Sequence, residues 1–370
     1  MSFLDTTHNI NLSCPINQLG YGIAGLNIAN ALDNLKQSVS LFTIGSIDVP
    51  EVYHEKLKTL ISNSRMPDWN APSIRIWHQH DMTSFVGRGE KIGFPIFELN
   101  KFVDLELHHL SYLDKWFVCS QWAKDILVDQ LKGIRGEDYV KENTFVVPLG
   151  VDREIFRETA SRRKETIFFN CGKWEVRKGH DILIKAFDEA FNDDDEVELW
   201  MMCDNPFYTE EETFQWERLY RTSKMGEKVR MIPRQETQQE VYDIMSQVDC
   251  GVFPSRGEGW NLELLEMMSC GKKVIATDYS AHTEFANEEN CMLVQTEELE
   301  EAHDSKWFRG QGEWAKIDEK QISQIAEYMR EVHEKKKKDE LNINQAGVDT
   351  AKKFSWSNSA KKVIEGIEKE

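Results

Sequence analysis

Short apolar runs of four to seven residues alternate with stretches of helical apolar spacing along most of the chain. Runs apolar on both faces suit the interior of a parallel sheet, and parallel neighbours need a crossover of helical length between them. The alternation therefore predicts an α/β fold with parallel sheets covered on both faces. Strands are predicted at 39–44, 73–78, 115–119, 144–148, 166–171, 197–203, 228–232, 250–254, 273–276 and 291–294. Helices are predicted at 24–35, 121–132, 180–191, 238–247, 262–270 and 319–337. In the third of these, Ile182, Leu183, Ala186, Phe187 and Ala190 recur at helical spacing.

The chain has 370 residues, 40% of them hydrophobic, enough for two domains with separate cores. The segment 158–165, ETASRRKE, has no apolar stripe and lies between two predicted strands. It reads as a linker between an N-terminal domain, 1–157, and a C-terminal domain, 165–350. Residues 351–370, with Phe354-Ser355-Trp356 before a last helix, form a separate element.

The formal charge is −19, with 14 basic and 19 acidic residues in 1–155 and 31 and 45 in the remainder. Neither part offers a basic field, which argues against nucleic acid as a partner and lends no support to a peripheral membrane contact. The run Lys335–Lys338 is flanked by Glu334, Asp339 and Glu340 and reads as a solvated helix face. No apolar run approaches the roughly 18–20 residues that span a bilayer. The first 13 residues lack the pattern of a signal peptide. The seven cysteines form no CxxC pair and read as thiols of a reducing compartment, so a cytoplasmic location is expected.

Four stretches carry residue types suited to chemistry. In FPSRGEGWNLELLEMMSCGKKVIATD, 253–278, a strand ends, a loop holds Gly257, Glu258 and Gly259, and a helix opens near Asn261. Such a helix start suits an anion, and Glu258 and Glu266 could accept hydrogen bonds from hydroxyls. In NCGKWEVRKGHDILIKAF, 170–187, Lys173 and Lys178 bracket a short loop that also holds Arg177. Two cations there could neutralise a diphosphate without a metal, or could be solvated surface charges. In NQLGYGIAGLNIANAL, 17–32, Gly20, Gly22 and Gly25 match GxGxxG as the opening of a helix, without an acidic residue closing the second strand. In IWHQHDMTSF, 76–85, His78, His80 and Asp81 follow a strand, with cleft lining favoured over metal ligation. The string Asp193-Asp194-Asp195 reads as an exposed acidic turn.

Taken together, these stretches resemble glycosyltransferase family 4, a retaining group with the GT-B fold of two facing Rossmann-like domains. Glu258 and Glu266, with seven residues between them and a small-residue, glycine and strand sequence after, resemble the family's paired-glutamate signature. GKWEVRKGHDILIKAF resembles its glycine–cation–Lys-Gly element, with Lys173 where arginine is usual. FVCSQWAKDIL, VVPLGVDREIF and MIPRQETQQEVYDIMSQVDCGVFPS are similar to further family segments in family order, and FSW to the start of a final helix that returns to the first domain. One departure is GFPIFELNKF, where Glu98 stands in place of a common histidine, as in a Phe-Glu subgroup.

The resemblance implies a hexosyltransferase that uses a nucleotide diphosphate sugar. Lys173 and Lys178 would hold the diphosphate, joined by backbone at Gly259, Trp260, Asn261 and Leu262. Glu258 would hold sugar hydroxyls, Glu266 the ribose, and backbone at Pro233-Arg234 the base. The Gly20–Gly22 loop would close over the donor from the first domain, and His80 or Glu98 would replace the missing histidine. No metal or other cofactor is expected. The acceptor would be a glycan, a lipid-linked glycan or a small molecule. The competing readings are a sugar-nucleotide epimerase of the same fold, an NAD-dependent oxidoreductase using GYGIAG, and a non-catalytic binder of the donor.

Overall fold

A computed structural model describes residues 7–369. They form two compact units: residues up to 150 together with 354 onward, and Val151–Lys353.

The first unit holds six strands, β1 (Asn9–Cys14), β2 (Ser38–Thr43), β3 (Ser73–Ile76), β4 (Lys91–Phe94), β5 (Lys115–Val118) and β6 (Thr144–Val146), in the order β2-β1-β3-β4-β5-β6. Every pairing is parallel. Its first five helices are α1 (Gly20–Asn34), α2 (His54–Asn63), α3 (Asp104–Ser111), α4 (Gln121–Arg135) and α5 (Glu137–Glu142). Helix α4 shows how local sequence meets the sheet. Ser120 caps it by accepting from the Ala123 amide, and Ala123, Leu127 and Leu131 bury one stripe against Trp116 and Val118.

The second unit has a sheet in the order β12-β11-β10-β7-β8-β9, again all parallel. Its strands are β7 (Thr166–Gly172), β8 (Val197–Cys203), β9 (Val229–Met231), β10 (Cys250–Phe253), β11 (Lys273–Thr277) and β12 (Met292–Val294). An antiparallel hairpin, β13 (Leu299–His303) and β14 (Arg309–Ala315), stands apart. The helices are α6 (His180–Ala190), α7 (Glu210–Arg221), α8 (Gln238–Met245), α9 (Leu262–Ser269), α10 (Glu319–Lys337) and α11 (Gln345–Lys353). Phe168, Phe187, Phe191, Leu199, Ile325 and Met329 form the centre of its core. The last helix, α12 (Trp356–Glu368), packs on α1 within the first unit.

Three expectations are corrected. The division falls at 150/151, and 158–165 belongs to the second unit, where the Thr159 amide donates to Cys270 O (3.1 Å) and Ser161 Oγ to Gln247 O (2.9 Å). The tail turns back at Phe354, because 351–353 finish α11. Gly20 and Gly22 lie in the first turn of α1 rather than in a loop before it. No helix among the described residues is long and apolar enough to cross a membrane.

Candidate active site

Parallel strands deliver all their following loops to one end of the sheet, where ligands of such folds sit. In the second unit the loops after β7 and β10 carry the two richest motifs, and Gly179 locks them together. It is left-handed (φ 71), and a Cβ there would lie 2.0 Å from Pro254 O, so only glycine allows this approach. The Arg256 amide then donates to Arg177 O (2.7 Å).

Glu258 is the centre of the cluster and is 4% exposed. Its Oε2 accepts from Arg177 Nη1 (2.7 Å), and its Oε1 from Lys178 Nζ (3.1 Å) and Ser255 Oγ (2.8 Å). Its own amide donates to Ser280 Oγ (2.8 Å). Burial opposes the charge of Glu258, but Arg177 and then Lys178 outweigh it and hold the carboxyl well below the usual carboxylate range. Arg177 also donates to Glu175 through Nε (3.0 Å) and Nη2 (2.7 Å), and to Gly257 O (2.8 Å). Glu175 faces Lys173 as well (2.8 Å), and Lys178 lies 3.8 Å from Glu263. Burial works against the charge of Lys178, yet Glu258 and Glu263 raise its pKa. The two lysines expected to stand ready for a diphosphate are thus each already paired with a carboxylate.

Helix α9 begins at this cluster. Asn261, itself left-handed (φ 85), caps it by accepting from the Leu264 amide (3.1 Å). Its side-chain nitrogen donates to His282 Nε2 (2.9 Å), which leaves His282 Nδ1 to donate to Thr277 O (2.9 Å). Among the described residues no hydrogen bond engages the amides of Gly259, Asn261 or Leu262. Trp260 is buried against Phe285, with ring centroids 4.8 Å apart. Glu266 follows on the buried face of α9, and burial, then Glu263, push its pKa up. Among the described residues no donor reaches its carboxylate. Pro233 and Arg234 are exposed just after β9, at the same end of the sheet.

His180, which opens α6, is structural. Its Nδ1 accepts from the Glu175 amide (3.1 Å), and burial and Lys178 lower its pKa to about 3. Asp193–Asp195 form the turn after α6, where the Asn192 amide donates to Asp195.

In the first unit the loops after β1, β3 and β4 gather a second group around Tyr21, which lies between Gly20 and Gly22 of α1. Tyr21 O–H donates to Ile96 O (2.6 Å), and its ring meets His78 (4.7 Å), which stacks on His80 (5.2 Å). Burial raises the Tyr21 pKa, and the nearby charge of Glu98 adds to this. The Asp81 carboxylate is held by Arg75 (2.7 Å), and no group of three His, Cys, Asp or Glu side chains among the described residues could hold a metal ion. Gly22 is forced by Asn17, whose atoms would lie 2.2–2.4 Å from a Cβ, whereas nothing lies within 4 Å of one at Gly20. Sequence reasoning missed Tyr21, Glu175, Glu263 and the role of Arg177. The last carried a signal in the charges Lys173, Glu175, Arg177 and Lys178, which crowd both signs into one short loop.

Residues 165–305 match the model of the family described as "Glycosyl transferases group 1". No curated protein matches the sequence. Among solved structures, the chain is similar to Anabaena HepE in complex with UDP and glucose, at 14% identity and a TM-score of 0.68, covering 97% of this chain and 98% of that one. It is similar to sucrose-phosphate synthase from Thermosynechococcus elongatus, at 14% identity, TM-score 0.69 and coverage of 97% and 98%. It is also similar to the lipopolysaccharide outer core galactosyltransferase WaaB, at 14% identity, TM-score 0.63 and coverage of 97% and 98%. These likenesses show the fold, which is GT-B.

Proposed function

We propose that this chain, a glycosyltransferase enzyme with the GT-B fold, moves a hexose-type sugar with retention from a nucleotide diphosphate sugar to an acceptor hydroxyl. The acceptor is a glycan, a lipid-linked glycan or a small molecule, and no metal takes part. The observation that carries the reading is the buried Glu258–Lys178 pair beside the unengaged amides that open α9. Those amides and the helix dipole suit the phosphates. An ammonium has three donors; Lys178 donates one to Glu258 and lies 3.8 Å from Glu263, beyond hydrogen-bond distance, which leaves donors for a phosphoryl oxygen. Glu258 accepts three bonds and has roughly one of its four acceptor positions left for a sugar hydroxyl. Glu266, kept neutral to higher pH than an ordinary glutamate, meets the ribose, and backbone at Pro233-Arg234 meets the base.

In the reaction the acceptor oxygen bonds to the anomeric carbon as the carbon–phosphate-oxygen bond breaks on the same face. The departing phosphate takes the acceptor's proton, so no separate protein base is required. Lys178 and Lys173 stabilise the charge that grows on the leaving group. The Phe-Glu subgroup, with His80 or Glu98 serving in place of the usual histidine, belongs to the same reading.

The test begins with a thermal-shift panel of UDP, GDP and ADP sugars, UDP first because HepE was solved with it. A nucleotide at 100 times its Kd raises stability by about 2.7 kcal/mol. With the donor found, Glu258→Gln should lower turnover on the order of 100–1,000-fold, and excess chelator should leave the wild type active. Near wild-type turnover in Glu258→Gln would remove Glu258 from the chemistry, and loss in chelator with rescue by manganese would overturn metal independence.

A further inference from the structure

Lys173, Arg177 and Lys178 of the candidate active site are each paired with a carboxylate, whereas a group of cations without such partners lies at the amino-terminal end of the same sheet. There a cavity of about 310 Å³ opens between segment 159–164, the residues before β10 and β11, the end of α10 and residues 339–343. Six cations line it: Arg162, Arg163, Lys164, Lys272, Lys273 and Lys336. The acidic lining is Asp249 and Asp339, in a chain of net charge −19.

Two of the six are neutralised. Lys164 pairs with Glu196, and Lys336 pairs with Asp249 (2.6 Å), so that residue of the Lys335–Lys338 run is not on a solvated face. The other four form no ion pair among the described residues, although the charges of Asp249 and Glu331 act on Lys272 and Lys273 from farther away. Arg163 lies over Trp200 (5.0 Å) and donates to Gln247 Oε1 (2.6 Å). Lys272 donates to Ser246 O (2.9 Å). The side chains of Arg162 and Lys273 make neither hydrogen bond nor ion pair among the described residues.

Basic residues commonly answer the carbonyls at helix C-termini, and this accounts for Lys272 beside the end of α8 and for Lys336 in the last turn of α10. It does not account for Arg162 and Lys273, nor for the depth of Lys272. That side chain belongs to a residue only 3% exposed, and a buried ammonium with one neutral acceptor is incompletely satisfied. Burial pushes its pKa down to about 8, and Lys336 adds to the effect. Lys273 is lowered in the same way by burial and Lys335.

We propose that this cavity binds a small phosphate-bearing anion with at least two negative charges, at a site separate from the donor's. Its volume stands at the lower end of roughly 300–1,000 Å³, the range of small-molecule sites, and suits a diphosphate group. The diphosphate could be free pyrophosphate or part of a nucleotide. Either would supply the carboxylate-like partners that Arg162, Lys272 and Lys273 lack.

The test is calorimetric titration of the full chain with inorganic pyrophosphate and with UDP, in a Lys178→Ala background that weakens the proposed donor site. Pyrophosphate should bind there. Its affinity should fall at least about tenfold when Arg162→Gln and Lys273→Gln, both on accessible side chains, remove two charge-assisted contacts. Lys272→Met should do the same if it folds. Competition by UDP would assign the site to nucleotides, and its absence to the free anion. The inference is overturned if pyrophosphate does not bind in the Lys178→Ala background, or binds equally well after the Arg162 and Lys273 substitutions. Because the donor site is tested by UDP on the wild type, failure of one reading leaves the other standing.

Discussion

Arg177 bridges two buried glutamates, and the asymmetry of such a bridge sets its energetics. Removing both partners of a buried ion pair can be nearly neutral, whereas removing one leaves an uncompensated charge. Arg177→Met should therefore destabilise the second unit by about 3–5 kcal/mol, read from urea unfolding. The pH dependence gives a second reading. Glu258 and Glu175 are both held below their ordinary value of 4.5, burial opposing and Arg177 prevailing. A depressed carboxyl contributes stability that is present above its unfolded pKa and lost as pH falls through the folded one. The wild type should accordingly lose stability as pH drops below about 4.5, and Arg177→Met should lose less of it over that range. Equal acid limbs in the two proteins would show that Arg177 does not set these charges. At this scale the sequence was half legible. Lys178, Glu258 and Glu266 stand out as types suited to phosphate and hydroxyls. That the cations come already paired could not be read, because Glu175–Arg177–Glu258 is closed by contact between two loops about 80 residues apart.

Elements that carry strong local signals were the legible ones. Helix α6 has its apolar stripe, and β7, β8, β10 and β11 hold short apolar runs such as Ile167–Phe169, Leu199–Cys203 and Val274–Ala276. Strand β1 was missed because Asn9, Asn11 and Ser13 interrupt its apolar residues, yet Asn11 is buried and satisfied by donating to Asp68 O (2.8 Å). Strand β4 has four residues, one of them glycine, and the β13–β14 hairpin is charged and exposed along much of its length. Glycine positions separate what the backbone needs from what a ligand would need. Gly179→Ala meets Pro254 O at 2.0 Å in a left-handed conformation and should cost about 1–3 kcal/mol, with weaker nucleotide binding as the two loops part. Gly20→Ala meets nothing within 4 Å in the first turn of α1 and should leave stability unchanged or slightly raised. Thermal unfolding of both variants checks the pair, and a large loss in Gly20→Ala would contradict the open surroundings described.

At the scale of the whole molecule the two units differ in connectivity, and this makes a truncation informative. The second unit is one continuous segment, whereas the first is completed by the chain's last helix. Helix α12 buries Ala360, Val363 and Ile364 to within 1% of full burial. A Cβ on Gly366 would lie 2.5 Å from the Phe117 ring, so the helix sits close on that side chain. Its last carbonyls, at Gly366 (3.2 Å) and Lys369 (2.6 Å), accept from Lys115, which also pairs with Glu90 (3.0 Å). Ser359 Oγ donates to Pro148 O (2.6 Å). Ending the chain at Lys353 uncovers the apolar face of α1, leaves the buried ammonium of Lys115 with Glu90 as its remaining partner, and removes no residue of the second unit. Each aliphatic side chain lost from burial is worth about 1.5–3 kcal/mol, and a domain is stable by only about 5–15. The truncated chain should therefore exchange the amides of α1, β5 and β6 rapidly while those of β7 to β11 stay protected. It should also keep UDP affinity within about tenfold of full length, since apart from the Gly20–Gly22 segment the groups proposed for the phosphates, ribose and base lie between 151 and 353, and should lose transfer. Hydrogen exchange followed by mass spectrometry, beside calorimetry with UDP, reads both outcomes. Collapse of protection in β7 to β11 would mean that the second unit depends on the first for its fold, and loss of UDP binding with that protection intact would mean that the nucleotide is held by groups outside Val151–Lys353.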